Sequence, residues 1–83
     1  MKRQGYHRLA EILGWYGVAA VLVAYAAISL GWLSREHTFY HILNATGGAG
    51  ILIDAWFDRN YQPVVLNAIW VIVALIALAQ IVL

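Results

Sequence analysis

The sequence predicts an all-α membrane protein, three transmembrane helices joined by short polar loops in a single domain over residues 1–83. Three observations predict it. Hydrophobic residues make up 64% of the chain and charged residues only 11%, whereas soluble domains run near a quarter charged. The apolar residues fall into long runs, and a helix crosses a bilayer with roughly 20 of them. A soluble chain this short buries too small a share of its surface to hide so much apolar area; lipid removes that demand.

The first span is predicted over Ile12 to Leu33, which carries no charge. The second covers Thr38 to Phe57, with a single acid, Asp54, near its end. The third covers Pro63 to Leu83 and is again uncharged. Pro63 suits the start of a helix, where its missing N–H goes unused. Ser34 or Thr38 is placed to cap the second helix. The joints, Ser34 to His37 and Asp58 to Gln62, are short and polar. Trp15, Tyr16, Trp32, Phe39, Tyr40, Trp56 and Tyr61 fall near the predicted edges, where amphipathic rings settle at a membrane interface. Trp70 sits deeper and departs from that pattern. Strands are excluded because the runs do not alternate and are twice the length of a barrel strand.

Basic residues set the expected orientation. Lys2, Arg3, Arg8 and Arg59 fall on one side and Arg35 on the other, which puts the N-terminus in the cytoplasm and the C-terminus outside. Lys2-Arg3 followed by an apolar run and Ala24-Tyr25-Ala26 has some features of a cleavable signal. The run continues to Leu33, however, which makes a full span.

Small residues mark helix contacts in lipid, because close backbone packing replaces the hydrophobic drive there. Gly17, Ala20, Ala24, Ala27 and Gly31 recur at steps of three and four on the first helix. This stripe is expected to form a homodimer face, with packing against the chain's own helices as the alternative use. On the second helix, Ile42, Ala49, Ile53, Trp56 and Phe57 share one side. His37, His41, Asn44, Gly47, Gly48 and Asp54 share the other, which is expected to look into the bundle.

Polar residues at membrane depth are costly and mark partners or pathways. Asp54 and Asn67 flank the second loop at equal depth, roughly 6 Å in at 1.5 Å per residue, so a hydrogen-bonded pair is expected. His37 and His41 share a face, but zinc needs three or four ligands and none is near in sequence, so no metal and no cofactor are expected. There is no cysteine, no serine–histidine–acid pattern and no phosphate loop, so the chain is not read as an enzyme. A net charge of +1 offers no basic patch for nucleic acid.

The segments Glu11 to Trp15, His41 to Gly47 and Tyr61 to Trp70 together resemble a family of very short bacterial inner-membrane proteins, labelled as permeases without an established activity. The resemblance covers roughly residues 9 to 80, most specifically the Pro63-Val64-Val65-Leu66-Asn67 segment. More distantly the plan resembles SemiSWEET or PQ-loop half-transporters, triple-helix bundles that pair as homodimers around a sugar pathway. That resemblance implies a multi-pass protein of the bacterial inner membrane and gives Asn67 the role of contacting substrate. The resulting expectation is a homodimeric half-unit for a small solute, with Asn67, Asp54, Asn44 and His41 along the pathway. A non-transporting accessory or structural membrane protein, packing with a partner, is the alternative.

Overall fold

The computed structural model describes residues 2–34 and 36–83, with side chains from His7 onward. The side chains of Lys2 and Arg3, and Arg35 altogether, lie outside the described residues; the expected orientation leans on all three. The chain forms three helices, α1 (Lys2–Ser29), α2 (Thr38–Phe57) and α3 (Tyr61–Val82). α1 (from His7) and α3 are long and apolar enough to cross a membrane, while α2 does not reach that mark. Its glycines, with His41, Asn44 and Asp54, dilute its apolar character.

The packing explains that dilution. Among the described residues α1 and α3 each pack against α2 and not against one another, so the helices stand in a row with α2 in the middle. A helix covered on two sides presents less surface to its surroundings and needs fewer large apolar side chains. Its buried residues are Asn44, Ala45, Gly47, Gly48, Gly50 and Ala55. The hydrophobic core is made of alanines, Ala10, Ala20, Ala24 and Ala27 on α1 among them, and among the described residues no large side chain is fully buried. Leucines, isoleucines and tryptophans instead face outward on all three helices.

The α1–α2 seam brings backbone against backbone. A Cβ on Gly17 would collide with the carbonyl of Gly47, and one on Gly50 with the carbonyl of Leu13. Ala24 in the same stripe is 0% exposed. The stripe expected to make a dimer face is thus used inside the chain, from Gly17 through Ala20 and Ala24 to Ala27. Small residues let two helices approach closely, and the nearest helix available is the chain's own α2.

Gly31 does not belong to that stripe. It is exposed and adopts φ +80°. The Trp32 N–H reaches back to the Ala27 carbonyl at 2.8 Å and the Gly31 N–H to that of Ile28 at 3.3 Å. This is the Schellman arrangement, in which a left-handed residue closes the helix. α1 therefore ends at Ser29 although the apolar run continues to Leu33. It also begins at Lys2, ten residues before the apolar run, because a polar segment can be helical without spanning anything. α2 stops in the same way, with Arg59 at φ 56° and the Asn60 N–H bonded to the Ala55 carbonyl at 2.9 Å.

The bounds of α2 agree with the expectation, but its cap does not. His37 occupies the N-cap without a side-chain cap bond. Its ring instead closes the preceding turn, with Nδ1 accepting the Ser34 N–H at 2.9 Å. α3 begins at Tyr61, which leaves Pro63 in the first turn, where no intrahelical donor is lost.

Candidate functional site

Two grooves flank α2. The first lies between α1 and α2 and encloses about 280 Å³. Its walls are Trp15, Val18 and Ile51, and its polar groups are His7, Glu11, Asp54 and Asp58. Asp54 turns toward α1 because Gly14 makes room for it: a Cβ on Gly14 would collide with the Asp54 carboxylate. At the mouth, His7 Nδ1 sits 3.4 Å from Asp58 Oδ1, an ion pair when the imidazole is protonated.

The second groove lies between α2 and α3 and encloses about 360 Å³. Leu66, Ile69, Trp70, Val73 and Ala74 of α3 face Tyr40, His41 and Asn44 of α2 across it. The Trp70 indole donates to Asn44 Oδ1 at 3.4 Å, and the rings of Tyr40 and His41 meet edge to face at 5.0 Å. Asn44 is 6% exposed.

Both grooves open on the same broad side of the row. At 100° per residue, the steps from Tyr40 to Asn44, Ile51 and Asp58 return to within about 40° of one face of α2. The residues of α2 that meet α1 (Gly47, Gly50 and Asp54) and the one that meets α3 (Gly48) point roughly 130° apart. The row is therefore bent, and the line through Tyr40, Asn44, Ile51 and Asp58 runs down its concave side. The convex side carries Ile42, Ala49, Ile53 and Trp56. It also carries a hydrogen-bonded clasp: Thr46 Oγ1 donates to the Ile42 carbonyl at 2.8 Å and so accepts from the Tyr16 hydroxyl at 2.7 Å.

Of the four residues expected along a pathway, His41 and Asn44 line the α2–α3 groove and Asp54 lines the α1–α2 groove. Asn67 lines neither. It is 8% exposed, and its Nδ2 donates to the Pro63 carbonyl of its own helix at 2.8 Å. The expected Asp54–Asn67 bond is not formed. Equal distance from a short loop sets equal depth, not equal azimuth, and Asp54 points roughly 120° away from α3 around α2. Two residues gain roles that the sequence reading did not assign. Glu11 joins Asp54 in the acidic groove, and Trp70 donates to Asn44 across the other. Among the described residues no group of three or more histidines, cysteines and acids is arranged to hold a metal ion.

A family model without assigned activity covers residues 10–83. The chain belongs to this uncharacterised family. The matched region takes in all of α2 and α3 and α1 from Ala10, so both seams and most of both grooves lie within the family's extent. No curated protein matches the chain, and no solved structure does.

Proposed function

We propose that the protein crosses the bacterial inner membrane three times, with its N-terminus in the cytoplasm, and works as one half of a homodimer that conducts a small solute. The membrane reading rests on the inverted distribution of side chains. Alanine and glycine fill the seams, and large apolar residues cover the outside, which suits lipid as the solvent. α2 crosses as well, shielded on two sides by α1 and α3. The basic residues argued above supply the orientation.

The observation that carries the functional reading is the opening of both grooves on one concave side. A second copy facing that side would convert two open grooves into an enclosed path, with Glu11, Asp54 and Asp58 toward one end and Tyr40, His41 and Asn44 toward the other. A carboxylate inside a span is costly and marks a pathway more often than a packing contact. The acidic end selects for solutes that are cationic or rich in hydrogen-bond donors. A non-transporting accessory role draws support from Asn67, whose amide is spent on its own helix, and from the bond between Trp70 and the Asn44 carbonyl.

The native chain has no cysteine, so single introduced cysteines report proximity cleanly. Ile51→Cys on the concave side should form a disulfide-linked dimer in membranes, and Ile53→Cys on the convex side should not. The reverse pattern would put the interface on the wrong side and remove the enclosed path. Uptake of methylammonium into proteoliposomes, and its loss in Asp54→Asn, extends the test to transport.

A further inference from the structure

Arg59 carries a positive charge for which the chain supplies no counter-charge. There are four acidic residues. Glu11, Asp54 and Asp58 line the α1–α2 groove, where Asp58 meets His7, and Glu36 precedes α2 at its opposite end. Arg59 lines a separate pocket of about 320 Å³ with Trp56, Phe57 and Tyr61, and among the described residues no carboxylate shares it. The backbone points the same way. Arg59 holds φ 56°, a conformation that glycine adopts without strain, and a non-glycine residue kept there points to a use for its side chain. α3 starts two residues later, and Asn60 occupies its N-cap without a side-chain cap bond. The first N–H groups of a helix, with its dipole, favour an anion. The rings of Trp56 and Tyr61 meet edge to face at 6.0 Å and stand 59% and 56% exposed, as aromatic residues do at a membrane edge.

We propose that Arg59, with Trp56 and Tyr61, holds the headgroup phosphate of an anionic phospholipid at the membrane edge. The guanidinium supplies the charge and a fork of N–H donors that suits phosphate oxygens. Trp56 and Tyr61 each bring an apolar ring for the lipid below the phosphate and one polar hydrogen, N–H or O–H, beside it. A zwitterionic headgroup brings an ammonium as well, which this pocket has no acid to receive, so the lipid retained is one of net negative charge. Trp56 lies on the convex side, away from the grooves. The proposal therefore rests on the membrane reading above and not on dimerisation or transport.

Native mass spectrometry tests it on the full-length protein in detergent, with phosphatidylglycerol and phosphatidylcholine of matched acyl chains in equal amounts. The readout is the ratio of the two lipids retained as first adduct. A basic residue at an anionic lipid surface is worth about a fivefold preference, so the native ratio should be about five and Arg59→Gln should lower it at least about threefold. Arg8→Gln, outside the pocket, should leave it nearly unchanged. Trp56→Leu, which keeps every charge, should lower it about twofold, since a site needs its walls and a bare charge does not. A native ratio near one, equal losses in Arg59→Gln and Arg8→Gln, or no loss in Trp56→Leu overturns the proposal. Should Arg59→Gln fail to fold by circular dichroism, Arg59→Gly, free of the strained φ, takes its place. Inorganic phosphate offered alone should give no adduct; an adduct lost in Arg59→Gln would assign the pocket to a soluble phosphate and overturn the lipid assignment. Carbonate washing of membranes tests the underlying reading separately. A chain released by the wash overturns both, and a chain retained there without lipid selectivity overturns this proposal alone.

Discussion

Gly50→Ala tests the backbone-on-backbone seam most directly. The added Cβ would collide with the Leu13 carbonyl oxygen and lie 3.1 Å from the Leu13 carbonyl carbon and 3.6 Å from the Gly17 nitrogen. All three are backbone atoms of α1, so no side chain can rotate away. The helices must part instead. Opening a packed seam by up to about 1 Å forfeits a quarter to a half of the dispersion energy across it. Overpacking of this kind costs about 1–3 kcal/mol, and the lack of any yielding atom puts Gly50→Ala at the upper end, about 3 kcal/mol. Alanine's better helix propensity offsets at most about 1 kcal/mol of that. Gly48→Ala is the internal control. Its Cβ would meet the Val71 methyl Cγ2 at 2.9 Å and the Trp70 ring at 3.6 Å, side chains that can shift, so its cost should stay below about 1 kcal/mol. Unfolding by sodium dodecyl sulfate in mixed micelles, followed by circular dichroism, measures both. Equal costs for the two variants, or a Gly50→Ala cost under about 0.5 kcal/mol, would refute the close seam. Loss of self-association with an intact monomer would instead return the stripe to a dimer face.

Further outcomes are expected from the same assay. Thr46→Val and Tyr16→Phe should each cost about 0.6 kcal/mol, the usual scale of an interhelical hydrogen bond in lipid, and the double variant little more than either alone. Arg59→Gly should raise stability by up to about 1 kcal/mol, since a left-handed non-glycine residue carries a penalty of about 1–2 kcal/mol that glycine avoids at some entropic cost; a loss of stability would mean that the arginine side chain outweighs the strain. Asn67→Ala and Asp54→Asn should be additive within about 0.5 kcal/mol, because the two side chains face different helices. A larger coupling would restore the direct pair.

Much of the candidate site was legible as residue type and depth. Asp54, Asn44 and His41 were identifiable because polar residues inside an apolar run stand out against their neighbours. Asn67 stood out for the same reason, but its amide turns back on Pro63, and composition does not distinguish a side chain that satisfies its own backbone from one that waits for a ligand. Glu11 and Asp58 lay outside the predicted apolar runs. They reach the groove because α1 extends about 42 Å at 28 residues and overhangs the end of α2, and because Asp58 directly follows α2 on the concave line.

By itself the sequence determined that there are three helices, where α2 begins and ends, and that Gly17, Ala20, Ala24 and Ala27 form a small-residue stripe on α1, though not that Gly31 falls outside it. These follow from local rules: apolar run length, polar interruption and the 3.6-residue period. Only the tertiary structure decided what that stripe touches, that α2 stands between α1 and α3, and that both grooves share one side. Those facts concern azimuth and neighbour choice. A small-residue stripe carries the same signal whether the helix that meets it belongs to the same chain or to another copy. Depth along a helix is read by counting residues, but direction around it has meaning only once the neighbouring helices are in place.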